Sequence, residues 1–223
     1  MNVVAVFLLA PLLAAAAPDA FAQPPAPPSP IARWDLTGTV GWFNADKGDA
    51  TSESYNEWYN SSLYGGIAAG WYWTDNHKTE LDFAATTVGD IYTATPVVVG
   101  AQLTYTNSRQ FFTTRKLALS QQYQAYRNAW FHPHVAAGVD LTWETSREER
   151  SPVIVYDSAA RTSREVLPAR TIGPDVDLIV RPFAAVGFKA YVTQRAFFRS
   201  DLRFTFERGV DEVLLRFGFG VDF

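Results

Sequence analysis

Acid–base and nucleophilic chemistry both need a base set beside a nucleophile or a water. Three histidines are available, His77, His132 and His134, and none stands in a His-x-Ser pair. Cysteine is absent, which removes thiol catalysis, disulfides and Cys-based zinc sites together. His132 and His134 flank Pro133. Without further ligands that spacing reads as a turn rather than a metal site. Asp46, Asp49, Glu53 and Glu57 form an acidic group that could attract calcium. Their spacing lacks the EF-hand pattern and reads as a solvated loop. No catalytic residue, metal or cofactor is expected from this set.

The other charges follow a different pattern, alternating with apolar residues. Successive side chains of a β-strand point to opposite sides, so alternation sorts two environments. The last segment is the clearest. Val213, Leu215, Phe217, Phe219, Val221 and Phe223 share one face, and Glu212, Leu214, Arg216, Gly218, Gly220 and Asp222 the other. The preceding segment repeats it, with Phe198, Ser200, Leu202, Phe204 and Phe206 opposing Arg199, Asp201, Arg203, Thr205 and Glu207. Six earlier segments read the same way, at about 33–43, 62–73, 77–87, 111–124, 133–144 and 177–191. The polar face collects the acids Glu80, Asp82, Asp140, Glu144, Asp201 and Glu207 and the bases Lys116, Arg181, Lys189, Arg199, Arg203 and Arg216. Equal numbers of the two signs predict a neutralised network, not a single field that selects ions. Asp201 is expected to be the acid most closely surrounded, with Arg199, Arg203, Arg216 and Arg181 as neighbours.

The elements that position these charges follow from composition and spacing. Of 223 residues, 48% are hydrophobic, 15% aromatic and 19% charged. Beyond residue 31 no apolar run approaches the ~18 residues of a spanning helix. The aromatic content excludes disordered and collagen-like classes. A net charge of −4 and dispersed basic residues argue against nucleic acid. Each alternating segment is close to the ~9–11 residues with which a tilted strand crosses a bilayer. Connections near 74–76, 125–132 and 192–195 are short, those at 44–61, 88–110 and 145–176 are long, and only 208–211 departs from that rhythm. Short turns at one end and long loops at the other mark transmembrane barrels. Trp34, Trp71, Trp73 and Trp130 fall near the short-turn end, and Trp42 and Trp143 near the long-loop end, as interfacial aromatic girdles would.

The expected fold is all-β, a closed antiparallel eight-stranded transmembrane β-barrel with short periplasmic turns and long external loops. The long gaps carry apolar runs, Val97–Val99, Leu103–Tyr105 and Val153–Tyr156. These are either hairpins that prolong barrel strands or two further transmembrane strands, making ten. Charges crowding the last run, among them Arg147, Glu148, Arg161 and Glu165, favour eight. Residues 3–17 are almost wholly apolar, and Ala20-Phe21-Ala22 fits an A-x-A cleavage site. The chain therefore divides into a signal peptide (1–22), a Pro-rich spacer (23–31) and a barrel domain (32–223).

The ending Leu215-Arg216-Phe217-Gly218-Phe219-Gly220-Val221-Asp222-Phe223 resembles the carboxy-terminal insertion signal of bacterial outer-membrane proteins. Phe217, Phe219, Val221 and Phe223 occupy its alternate apolar positions. With the signal peptide and the strand pattern, residues 32–223 resemble the small eight-stranded barrels of the OmpA-transmembrane, OmpX and OmpW type. That resemblance implies the outer membrane, contact with its lipid and lipopolysaccharide, a monomer, and recognition of Phe223 by the barrel-assembly machinery. The periplasmic peptidoglycan-binding domain of full-length OmpA-like proteins is not implied, because the chain stops at Phe223.

Side chains largely fill an eight-stranded barrel, and charges buried there must be paired. The expected function is accordingly non-enzymatic. It is an outer-membrane barrel with a charge-paired, largely plugged lumen, serving envelope structure or loop-mediated surface interaction. One alternative is a narrow gated channel in which ion pairs exchange partners. Another is an OmpW-like conduit for small molecules, which needs an apolar inner funnel; inward Phe183 and Leu214 offer little of one. A third, an outer-leaflet lipid-modifying enzyme, is disfavoured because all three histidines fall toward the short-turn end.

Overall fold

The computed structural model describes residues 33–46, 58–100, 102–125, 130–157, 161–207 and 209–223. The segments read above as signal peptide (1–22) and spacer (23–31), and the acids Asp49, Glu53 and Glu57, lie outside the described residues. The strands are β1 (Trp34–Asp46), β2 (Trp58–Tyr72), β3 (His77–Thr86), β4 (Gly89–Val99), β5 (Gln102–Gln124) and β6 (Phe131–Arg150). They continue with β7 (Val153–Asp157), β8 (Thr162–Leu167), β9 (Arg170–Tyr191), β10 (Ala196–Phe206) and β11 (Val210–Asp222).

Eight of these strands close a ring in the order β1-β2-β3-β5-β6-β9-β10-β11. β1 pairs with β2 on one edge and with β11 on the other, both antiparallel. Closure leaves no unpaired edge within the ring. At the seam Trp34 and Phe223 exchange backbone hydrogen bonds of 3.1 and 2.9 Å.

β4 is not a further member of the ring. It continues the line of β3 along the upper part of β5, since Ala85 faces Arg115 and Gly89 faces Phe112. Residues 86–88 thus lie opposite 113–114, and the one extra residue makes a bulge. β6 and β9 likewise stay paired as far as Arg150 opposite Arg170, and β7 and β8 form a separate hairpin beyond them. The long gaps therefore hold prolonged strands and hairpins, and the count of strands in the ring is eight.

β5, β6 and β9 run well past the expected segments 111–124, 133–144 and 177–191. Alternation fades in the added residues, because above the apolar band both faces of a strand meet polar surroundings. His132-Pro133-His134 also differs from expectation. It lies inside β6 rather than in a turn, with both histidines buried and Pro133 on the opposite face.

Inside and outside are reversed relative to a soluble protein. Arg199, Arg216, Lys78 and Lys189 are almost wholly buried, while Val40, Ile67, Val180 and Phe219 are more than 60% exposed. Such a band of apolar surface is stable only against an apolar solvent. Small inward residues make room for the long charged ones. A Cβ at Gly70 would collide with the Asp35 carboxylate and the Lys78 stem, and one at Gly220 with the Phe197 ring. At the long-loop end the interior turns apolar, with Phe43, Ala45, Tyr64, Ala84, Ile91, Phe112 and Leu214 packed together. This inward apolar set is larger than Phe183 and Leu214 alone, and its members are packed against one another.

Candidate functional site in the barrel lumen

The lumen holds one continuous chain of alternating charge. At the short-turn end Lys189 of β9 and Lys78 of β3 both meet Asp35 of β1, the latter at 2.9 Å. Lys78 is also 2.6 Å from Glu80, and Glu80 accepts from the Arg199 guanidinium of β10 at 2.5 Å. Arg199 Nε lies 2.8 Å from Asp201, and Asp201 accepts from Arg216 Nε of β11 at 2.7 Å. Arg216 then reaches across to Asp82 of β3. Asp82 takes Arg203 of β10 at 3.1 Å, and Arg203 takes Asp140 of β6 at 3.0 Å. Asp140 stands 3.7 Å from Lys116 of β5, which pairs with Glu212 of β11. Glu212 accepts from Arg181 of β9 at 3.0 Å, and Arg181 ends the chain on Glu207 at 2.8 Å.

Strand order explains why the chain forms. In a closed ring inward side chains of every strand converge on one axis, so residues far apart in sequence become neighbours. β2 adds no charge but two hydroxyls. Tyr64 donates to Asp82 and Tyr72 donates to Asp35, each at 3.0 Å. Tyr72 Oη also accepts from Lys189 at 2.6 Å and from Gln124 Nε2 at 3.3 Å. Aromatic faces complete the cation sites: Lys189 Nζ lies 4.0 Å from the centre of the Phe197 ring, and the Arg203 guanidinium 4.0 Å from that of Phe183. A charge buried alone is strongly disfavoured, whereas each of these has opposite charges or dipoles on two or more sides.

The residues singled out in the sequence fall as follows. Glu80, Asp82, Lys116, Asp140, Arg181, Lys189, Arg199, Asp201, Arg203 and Arg216 are members of the chain and buried. Glu144 is buried on the same face of β6. Glu207 is a member, but its side chain is 49% exposed, at the long-loop rim. The neighbours of Asp201 differ from expectation. Arg199 and Arg216 hold it, whereas Arg203 turns to Asp82 and Asp140, and Arg181 to Glu207 and Glu212. The list of lumen charges drawn from the sequence left out Asp35, Lys78 and Glu212, the last named only by its face, and the hydroxyls of Tyr64 and Tyr72. The first three share the parity of the inward face, Lys78 two residues before Glu80 and Glu212 four before Arg216. That parity was the available signal.

Outside the lumen, Trp34, Trp42, Trp71, Trp73 and Trp130 are exposed and Trp143 is partly so. Trp34, Trp71 and Trp73 stack in series at 4.9 and 4.8 Å between ring centres. Phe217, Phe219, Val221 and Phe223 share the outer face of β11, beside Phe198 of β10. His77 is exposed 5.1 Å from the Tyr123 ring, away from the lumen pair His132 and His134. Among the described residues no group of three His, Asp or Glu side chains is arranged to hold a metal.

No protein-family model and no curated protein matches the chain. Solved structures do. Neisserial surface protein A is 11% identical over 85% of this chain and 97% of its own, with a TM-score of 0.52. The outer membrane protein OprG from Pseudomonas aeruginosa is 14% identical over 86% of this chain and 97% of its own, with a TM-score of 0.52. Ring closure, the reversed burial and these likenesses agree that the chain has the fold of the small eight-stranded outer-membrane β-barrels.

Proposed function

We propose that the protein resides in the bacterial outer membrane as a barrel held shut by its own charges, non-enzymatic, serving envelope structure and contacts made by its long-loop end. The observation that carries this reading is the alternating ion-pair chain, which joins all but one of the ring strands across the lumen and runs from Lys189 to Glu207. A through-channel would have to break bonds in it. The apolar packing of Phe43, Ile91, Phe112 and Leu214 fills the lumen beside the long-loop part of the chain, with the Phe43 ring 4.8 Å from Lys116 Nζ, and supports the same reading. That packing leaves little room for a conduit. No histidine among the described residues sits at the long-loop end, which weighs against outer-leaflet catalysis.

A gated path is the second reading, and one observation favours it. Thr37, Thr39, Gln122 and His134 point inward with buried polar atoms that no protein group satisfies. Buried polar atoms of this kind are usually served by water. Planar-bilayer conductance of the refolded protein separates the two readings. The plug predicts no steady unitary conductance for the wild type and none for Asp201→Asn. Large openings in either, with stability unchanged, would replace the plug by the gate.

A further inference from the structure

The turn from β9 to β10, Val192-Thr193-Gln194-Arg195, closes as the N–H groups of Val192 and Thr193 donate to the Ala196 carbonyl at 2.9 and 3.1 Å. The Asp222 N–H donates to the Arg195 carbonyl at 2.9 Å, and the next residue, Phe223, exchanges hydrogen bonds with Trp34. Arg195 thus stands level with the tryptophans of the short-turn end, where indoles meet lipid headgroups. It is exposed and makes no ion pair among the described residues. The same turn borders an open groove of about 440 Å³ on the outer face of β1, β11 and β10. Leu36, Val192, Phe219 and Val221 wall it, each about half exposed or more, and Gly38 and Ala196 leave its low ground. The register puts the strand residues on one face, since Leu36 and Ala196 both stand opposite Val221, and Gly38 opposite Phe219. Phe197 and Gly220 alternate with them, face inward and underlie the groove. Neither strain nor crowding requires the glycine at Gly38: its φ is ordinary, and a Cβ there would meet nothing within 4 Å.

We propose that this groove and Arg195 together bind one glycerophospholipid with an anionic headgroup. An acyl chain lies over Gly38 and Ala196, and the phosphate sits on the Arg195 guanidinium. Hydrocarbon surrounds this face, and a void against it would forfeit the dispersion contacts of the lining. Lipid tails are as apolar as leucine, so the groove alone selects no particular lipid. The charge selects. A guanidinium fork matches phosphate oxygens. Beside it the Thr193 hydroxyl accepts from the N–H groups of Arg195 and Ala196 at 3.3 and 2.9 Å, which leaves its own proton to donate. The turn carries no acid to compete for Arg195. The inference rests on the reading above only in setting the apolar band in a membrane, and its test does not depend on which end faces the periplasm.

The experiment is native mass spectrometry of the refolded full chain from detergent micelles, titrated with phosphatidylglycerol, phosphatidylcholine or lipid A. One phosphatidylglycerol is expected to bind at least about tenfold more tightly than phosphatidylcholine or a second phosphatidylglycerol. Arg195→Ala should weaken that binding about tenfold, and Arg195→Lys should weaken it less. Gly38→Leu fills the groove and leaves the charge in place, and it should weaken binding about fivefold. Gly65→Leu is the control. Gly65 also faces outward into open space, on β2 and away from the groove, and its variant should bind as the wild type does. Heat-modifiable migration checks that each variant is folded. Equal binding of phosphatidylglycerol and phosphatidylcholine, tighter binding of lipid A, or wild-type affinity in either Arg195→Ala or Gly38→Leu would overturn the proposal. Failure here leaves the conductance result untouched, so the two readings fall separately.

Discussion

Asp201 shows what a buried charge does in this lumen. It stands between Arg199 and Arg216 at 2.8 and 2.7 Å, and its removal would leave two guanidinium groups facing each other without their shared anion. Asp201→Asn is expected to cost about 3–5 kcal/mol, as breaking a buried pair from one side does. The denaturant midpoint of the refolded protein measures this. Glu207→Gln touches the same chain but at a half-exposed end, so it should cost no more than about 1 kcal/mol. Equal losses for the two variants would mean that the lattice is not graded by burial. The contrast matters because sequence parity treats both acids alike.

At the scale of elements, the prolonged strands make a rim whose electrostatics differ from the lumen's. Glu148 accepts two hydrogen bonds from Arg150, and this holds its carboxyl below the usual glutamate value. A depressed folded value means that the pair adds stability above the usual glutamate range and loses it as pH falls through the depressed value. Since Arg150, its partner, is about half exposed and solvent reaches the pair, the contribution is at most about 1 kcal/mol. Amide protection at residues 146–150, corrected for intrinsic exchange, should therefore fall between pH 6 and pH 3, and Glu148→Gln should remove that difference. The β7–β8 hairpin lies outside the ring, so the barrel's own stability should not depend on it. A role in assembly is expected of β11 and the Phe223 that follows it: Phe223→Ser should lower the yield of heat-modifiable barrel in the outer membrane. The reason is the resemblance of its outward Phe217, Phe219, Val221 and Phe223 to an insertion signal. Wild-type assembly of the variant would dismiss that role.

For the whole molecule, reversed burial makes the strongest physical demand. A closed ring with exposed Val40, Ile67, Val180 and Phe219 around a charged interior needs hydrocarbon outside it. Cysteine placed at Asn107 or Arg164 should be labelled from outside intact cells, and cysteine at Asp75 in the short turn should be labelled only after permeabilisation. Labelling of the Asp75 position in intact cells would invert the topology. It would leave the fold standing, because ring closure does not depend on which end faces out.

Alternation along 198–206 and 210–223 was enough to read strands and their two faces, because side-chain direction in a strand has a strict period of two; the closed barrel followed from the rhythm of short and long connections and the resemblance of the ending. Alternation was enough, too, to put Arg199, Asp201, Arg203 and Arg216 on one face. It did not reveal partners. Arg203 pairs with Asp82 and Asp140, 121 and 63 residues away in sequence, and only ring order and register bring those groups together. The same limit hid the weight of Asp35: parity could put this single acid among threonines on the inward face of β1, but nothing local shows that two lysines from β3 and β9 converge on it. Strand ends were illegible for a different reason. Alternation reports a contrast between two environments, and where β5, β6 and β9 leave the apolar band that contrast vanishes although the ladder continues. The Arg150–Arg170 juxtaposition belongs to that invisible region, and it took the register of two prolonged strands to set those charges face to face.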